Sequence, residues 1–323
     1  MNTPLVSVIV TTYNSAAFVL ETLESIKMQT YKNMELIVSD DASSDQTVAL
    51  AENWLRENSG SFVRTEMVTV ASNTGVSANC NRSIAAAKAT WIKFIAGDDI
   101  LLPTCVEDNM QFVADHPEAK IVFSQVLMYR DSFVPSNFVH MIPQSYPMNI
   151  MNPAHTATDQ FKLLLLSDRI NFTPSYFFDK EAVVSVGGYD ERNRMAEDYP
   201  MWLKLTFAGI RLYFMEKQTV GYRQHDKAIN NISEKVIFKP MMLKMYSFRK
   251  QTVFPYLPWD IVGAEKWITA VRIIFSTCGW NKQTTRLLFL YQFATVYLNP
   301  FQYVISFRKK ILKVGNTNVF YTN

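Results

Sequence analysis

The sequence is poor in three residue types on which many functional sites are built. It has 10 glycines, 4 histidines and 3 cysteines in 323 residues. Cys80, Cys105 and Cys278 are odd in number, widely spaced and show no metal-ligand pattern. A disulfide framework and a zinc site are therefore excluded, and the thiols read as the reduced cysteines of a cytosolic protein. No Gly-x-Gly-x-x-Gly follows the first β-forming run and no Gly-Lys-Ser/Thr occurs, which removes the dinucleotide fingerprint and the P-loop. No apolar run reaches the roughly 18 residues of a spanning helix. The start of the chain has no basic segment ahead of Val6-Ser7-Val8-Ile9-Val10, so no secretory leader is expected. A formal charge of +3, with no long basic run before the C-terminus, argues against a nucleic-acid partner.

What is present is the composition of a globular protein, 48% hydrophobic and 19% charged, long enough for one large domain with an appendage or for two domains. Short apolar runs rich in β-branched residues alternate with helical patterns. Leu5 to Val10, Met34 to Ser39, Met67 to Ala71 and Trp91 to Ala96 read as strands. Between them, the periodicity gives helices from Ser15 to Met28, Thr47 to Leu55 and Ser77 to Ala87. This alternation predicts an α/β fold, a mostly parallel sheet with helices on both faces.

Three of these strands end in polar clusters: Thr11-Thr12-Tyr13-Asn14, Asp40-Asp41 and Gly97-Asp98-Asp99. Ligands of open α/β sheets bind at the carboxyl ends of the strands, so these clusters are expected to converge on one crevice. Adjacent carboxylates repel unless a cation sits beside them, and Mg²⁺ or Mn²⁺ shared with a phosphate suits hard oxygen ligands. The ordinary alternative is a strand-end turn, since Gly and Asp are turn residues.

Further along, Cys105 to His116 reads as a helix and Ile121 to Met128 as a strand. Residues 130–158 hold Pro135, Pro143, Pro147 and Pro153 and read as a long binding loop or lid. Ser175 to Phe178 and Leu212 to Met215 are short strands. Glu197-Asp198 opens a helix; acids are common there because the helix dipole favours them. Tyr222-Arg223-Gln224-His225 puts a guanidinium and an imidazole at a strand end, a setting for phosphate, although a lone histidine is more often structural. Beyond residue 230 strand signals cease, and helices are predicted over Lys235 to Arg249, Ile261 to Phe275 and Thr284 to Leu298. Arg286, Arg308, Lys309, Lys310 and Lys313 flank aromatic and aliphatic residues, a pattern suited either to an interfacial helix on an anionic membrane or to a packed helical subdomain.

Taken in order from Val6 to His225, about two-thirds of the chain, these motifs resemble the family 2 glycosyltransferases. The matching stretches are Ser7 to Asn14, Val38 to Asp45, Asn73-Thr74-Gly75-Val76, Gly97-Asp98-Asp99, Glu197-Asp198 and Tyr222 to His225. The resemblance implies an inverting, nucleotide-sugar-dependent enzyme with the GT-A fold in residues 1–230, followed by a helical region in 231–323. Thr11 and Tyr13 would line the base pocket, Tyr13 stacking on uracil, and Asp41 would accept from the ring N–H. Asp98 would reach the ribose or the metal, Asp99 the metal bridging the diphosphate, and His225 a metal or phosphate with Arg223 nearby. Asp198 would be the general base. The donor would be a UDP-sugar, the cofactor Mn²⁺ or Mg²⁺, and the acceptor a hydroxyl of a lipid-linked glycan, polyprenyl-diphosphate-bound, in bacterial surface-polysaccharide (O-antigen-type) synthesis. The expected location is cytoplasmic, peripheral on the inner face of the cell membrane.

Two positions depart from the family pattern. Ala96 stands where many relatives carry an acid, and Cys80 stands before Asn81 where many carry arginine. Two other classes compete. A nucleotidyltransferase would need a Gly-rich, Lys/Arg-bearing loop after the first strand. A non-catalytic sugar-nucleotide-binding module would fit a chain lacking the base.

Overall fold

The computed structural model describes residues 3–144, 149–192, 197–225, 235–312 and 320. Lys313, Met195 and Ala196, and the domain boundary expected at 230/231, lie outside these residues. The chain forms two compact units: Met1–Leu164 with Asp168–Ala228, and Leu165–Ser167 with Ile229–Asn323.

The first unit is built on β1 (Val6–Thr12), β2 (Met34–Asp40), β3 (Arg64–Thr69) and β4 (Trp91–Ala96). β1 lies between β2 and β4 and is parallel to both, and β3 extends the parallel set beyond β2. Val6, Val8, Ile9 and Val10 of β1 and Leu36, Ile37 and Val38 of β2 are fully buried. Strands covered on both faces carry such near-continuous apolar runs. Connecting them are α1 (Val19–Lys27), α2 (Thr47–Asn58) and α3 (Val76–Ala86). Val19, Leu23 and Ile26 form the buried stripe of α1 at helical spacing.

The sheet continues through β5 (Ile100–Leu101), β6 (Ile121–Arg130), β7 (Phe138–Ile142), β8 (Phe177–Asp179) and β9 (Leu212–Gln224). Its order is β3-β2-β1-β4-β8-β6-β9-β5, with β7 on β6. Here the pairing turns mixed: β8 is antiparallel to β4 and β6, while β6 and β9 are parallel. α4 (Cys105–Asp115), α5 (Ala157–Leu166), α6 (Lys180–Ser185) and α7 (Asp198–Phe207) complete the unit.

Several boundaries differ from the sequence expectation for physical reasons. β3 begins at Arg64, three residues before the apolar run. As the edge strand of the sheet it tolerates the charged Arg64 and Glu66. The expected loop of 130–158 contains a strand, because Pro135 and Pro143 bracket the β-forming Phe138–Ile142 rather than breaking it. β9 is far longer than Leu212 to Met215: Glu216 and Lys217 are accommodated by a register shift against β6, and pairing resumes at Gln218.

The second unit holds α8 (Met241–Thr252), α9 (Trp259–Thr277), α10 (Thr285–Gln292) and α11 (Pro300–Leu312). α8 starts only after Pro240, since proline suits a helix start and disrupts its interior. Phe238, Val271 and Phe275 form its core with Ile237, Leu243, Tyr291 and Ala294 packed against them. Gly263 lets α11 approach α9: a Cβ there would lie 2.4 Å from the Phe301 ring.

One buried charge ties the first unit together. Glu35 on β2 is 1% exposed, and its carboxylate accepts from Ser7 Oγ, Arg64 and the backbone N–H groups of Lys88 and Ala89. Burial alone would raise its pKa, yet these donors outweigh it and hold the group below its ordinary value. Stability from Glu35 is therefore present above the ordinary carboxylate pKa and lost as pH falls through the folded one. Glu35→Gln should cost about 2–3 kcal/mol at neutral pH. The deficit should shrink in acid, as read by urea unfolding of both proteins across pH.

Candidate functional site

The ends of β1 and β2 are interlocked by short polar side chains. In register, Thr12 faces Asp40 and donates Oγ1–H to its Oδ2 at 2.7 Å. Asp40 also accepts from Ser43 N, and Ser43 Oγ accepts from Asn14 N. Asn14, at φ 53°, accepts from Ser44 N; Ser15 N and Ala16 N donate to Thr47 and Asp45. Positive φ suits asparagine, whose side chain bonds locally. Thr11 sits in this framework on β1, and Tyr13 projects from it 53% exposed. A flat, exposed ring on a fixed loop is a platform on which a base can stack.

Asp41, by contrast, is 3% exposed, and its carboxylate is surrounded by donors. Thr74 N and Oγ1, Gly75 N and Arg82 all bond to it. Burial acts to raise its pKa, but these contacts together lower it. Arg82 was not singled out from the sequence; it lies one residue past Asn81 on α3, just beyond the position at which relatives were expected to carry arginine. Asn81 itself accepts from Tyr189 N and donates to Tyr189 O, latching the Gly187–Gly188 turn onto α3.

β4 ends against β1 in a space only glycine fits. A Cβ on Gly97 would lie 2.7 Å from Thr12 Cγ2. The chain then places Asp98 and Asp99 differently. Asp98 Oδ2 lies 3.2 Å from His225 Nε2, with the Phe18 ring 4.7 Å from the imidazole. Asp99 is 1% exposed and accepts from Arg223 N at 2.9 Å. Burial, reinforced by the neighbouring Asp98, raises its pKa well above the ordinary range against the pull of Arg223 and Lys93. Arg223, expected near phosphate, has a side chain only 2% exposed. Its guanidinium donates to Asp98 O, Asp131 O and Glu21, and lies 4.6 Å over Phe18 and 4.2 Å over Phe133. It thus frames Asp98 and Asp99. Among the described residues no group of three or more His, Cys, Asp or Glu gathers to hold a metal ion. Asp98 with His225 is a two-donor arrangement, which fits Mg²⁺ or Mn²⁺ when substrate phosphate and water supply the remaining ligands.

A second group of carboxylates surrounds the start of α7. Asp198 is its first residue, and its Oδ2 accepts from Thr173 Oγ1 at 3.0 Å. Burial, then the Asp198 charge, raises Glu197 to about 7 and Asp168 to about 6. Asp168 was missed by sequence reasoning because nothing near it marks a motif. Its proximity to Asp198 is created by the fold.

For Glu197 the folded state holds its proton to about 7, against an ordinary 4.5. That contribution to stability is complete below the ordinary value and is lost as pH rises through about 7. Glu197→Gln should therefore gain stability relative to wild type between about pH 5 and about pH 8. Thermal melts at the two pH values check this; a constant difference would contradict the raised pKa.

Residues 7–182 match the family model described as glycosyl transferase family 2. An uncharacterized glycosyltransferase of Haemophilus influenzae is 28% identical over 203 residues, covering 62% of each chain. A putative glycosyltransferase of Bacillus subtilis, EpsE, is 26% identical over 233 residues, covering 71% of this chain and 77% of EpsE. Among solved structures, S. aureus TarS 1–349 in complex with UDP-GlcNAc superposes with a TM-score of 0.56 at 16% identity, covering 91% of this chain and 81% of that one. A longer TarS structure is covered to 50%, so this chain spans less than two-thirds of some of the proteins it resembles. The shared fold is the GT-A arrangement that the family resemblance implies, a mixed sheet with helices and a C-terminal helical region. With the family model spanning more than half of its length, the chain belongs to glycosyl transferase family 2.

Proposed function

We propose that the protein is an inverting glycosyltransferase that moves a sugar from a UDP-sugar to a hydroxyl of a polyprenyl-diphosphate-linked glycan in surface-polysaccharide synthesis. The observation that carries this reading is Asp198, a carboxylate at a helix start held by Thr173 and flanked by two acids of raised pKa. A base so fixed accepts the proton of an acceptor hydroxyl as its oxygen attacks the anomeric carbon from the face opposite the leaving UDP. The C–O bond to UDP breaks as the new one forms, which inverts configuration. The donor assignment draws on the UDP-GlcNAc and UDP complexes of TarS and on the family.

Tyr13 and Thr11 are assigned to the base pocket. Asp41 holds the Thr74–Gly75 turn at its edge, where its remaining acceptor capacity meets the uracil N–H. Asp98 and His225 would hold Mn²⁺ or Mg²⁺, with Asp99 behind them and Arg223 fixing both strand ends. The cation would stabilise charge on the departing diphosphate.

The second unit supports a membrane-bound acceptor. Thirteen of the 32 Lys and Arg residues, but three of the 29 acids, lie in 229–323, leaving the rest of the chain at −7. Two of these acids are already paired, Asp260 with Arg308 and Glu265 with Arg249. Phe289, Phe293 and Tyr297 form an exposed aromatic ladder of successive ring contacts. No described helix is long and apolar enough to cross a membrane. Apolar groups beside excess cations suit docking on an anionic bilayer, each cation adding about 1 kcal/mol.

Asp198→Asn should reduce UDP release from a UDP-sugar and acceptor by about 10²–10⁴-fold while UDP affinity stays at the wild-type value. Unchanged turnover would remove the base assignment. Asp98→Ala should weaken UDP binding measured by calorimetry in Mn²⁺ and make the remainder insensitive to chelator. Replacing Lys309, Lys310 and Lys313 with Gln, which leaves the Arg308–Asp260 pair intact, should reduce flotation with phosphatidylserine vesicles at low salt. A wild-type protein that does not float would end the membrane reading.

A further inference from the structure

Lys93 is a fully buried cation in the middle of β4, among apolar neighbours, and no role given above uses it. A lysine in such a place is costly unless its ammonium finds acceptors and a counter-charge. It finds both. Nζ donates to Pro174 O at 2.6 Å and to Tyr176 O at 3.3 Å. Asp99, six residues along the same strand and turn, lies close enough to act on its charge. The acceptors belong to the segment that carries Thr173, whose hydroxyl donates to Asp198.

Within that segment Ser175 N donates to Phe172 O and Tyr176 N to Thr173 O, and the Phe172 ring packs edge-on against Phe123 and Phe214. Ser175 Oγ donates to Phe172 O and accepts from Ser124 N on β6, fixing its far end. Tyr176 packs on Phe178 and, edge-on, against Trp202 of α7, the helix that Asp198 opens. Between these contacts the carbonyl of Pro174, adjacent to Thr173, accepts from the Lys93 ammonium on β4. A carbonyl gripped at 2.6 Å by a cation fixes the orientation of the Pro174–Ser175 peptide, one residue beyond Thr173. Thr173 is joined to that peptide through the fixed ring of Pro174, which steadies it where its hydroxyl donates to Asp198.

We infer that Lys93 is a positioning residue for Asp198: its ammonium, anchored on the strand that ends in Asp98 and Asp99, holds the 173–176 segment so that Thr173 orients the catalytic carboxylate. The consequence is a mechanical link from the nucleotide-side strand end to the acceptor-side base. Lys93 touches neither substrate and moves no proton.

The inference rests on Asp198 acting as the base, and the test separates the two. UDP release from UDP-GlcNAc, or from whichever UDP-sugar the wild type turns over fastest, is measured with water as acceptor, alongside UDP affinity by calorimetry. Lys93→Met should lower kcat about 10- to 100-fold, the scale of a misplaced catalytic group, with KM for the UDP-sugar and UDP affinity unchanged. Thr173→Val should do the same, Thr173→Ser should restore the rate, and the Lys93→Met/Thr173→Val double variant should lose no more than either alone.

Additive losses, or a fall in UDP affinity matching the fall in kcat, would make Lys93 a general support of the sheet and overturn the inference. Should Lys93→Met fail to fold, Thr173→Val still decides: wild-type kcat in that variant removes the link. Asp198→Asn in the same assay is the control. If Asp198→Asn keeps its rate, the base assignment falls; if it loses its rate while Lys93→Met and Thr173→Val keep theirs, only the Lys93 link falls.

Discussion

A guanidinium carries five N–H groups and a charge it never gives up, so burying one obliges the surroundings to supply acceptors on several sides. Arg223 meets that obligation at the point where β9 reaches the end of β4. Its side chain takes the Asp98 carbonyl, the Asp131 carbonyl and Glu21, and two aromatic rings cover its faces. Its own backbone N–H takes Asp99. Four separate segments are thereby fixed around one residue: α1, the end of β4, the turn after β6, and β9. The pairing of Asp98 with His225 two residues further on follows from this, because neither partner is placed until Arg223 is. A charge held this way is worth more to geometry than to net stability, since desolvation offsets much of its attraction.

The parts of this site that were legible in the sequence are those where chemistry and local structure coincide. Gly97 followed by two aspartates can be read because only glycine allows the close pass against Thr12, and carboxylates at a strand end have few apolar reasons to exist. Tyr13 and Asn14 are readable for the same reason: they interrupt an apolar run at its end. Arg223 and His225 could be placed at a strand end, but not assigned their partners. The sequence cannot show that Arg223 turns inward between Phe18 and Phe133, which lie more than eighty residues from it in the chain.

Other elements were hidden because their cause is tertiary. Lys93 looks like an ordinary interruption in an apolar strand until its carbonyl acceptors, about eighty residues away, come alongside. Asp168 carries no local motif and becomes chemically distinct only beside Asp198. β7 was masked by the density of prolines around it, and the long β9 by the charged pair that its register shift absorbs. For β7 and β9 the local signal was present but outvoted by a stronger neighbour, whereas for Lys93 and Asp168 the cause lies wholly in the tertiary contacts.

The loops at the ends of β1 and β2 are bonded to each other through Asn14, Ser43, Ser44, Asp45 and Thr47. Asp41 likewise closes the Thr74–Gly75 turn with protein donors alone. The conformational entropy of ordering these segments is therefore lost once, during folding, and is not charged again to each catalytic cycle. In the function proposed above, such a prearranged wall would serve the nucleotide half of the donor as a rigid receptor. Under that proposal the product nucleotide would leave without the β1 and β2 loops first coming undone, which favours repeated turnover over long residence.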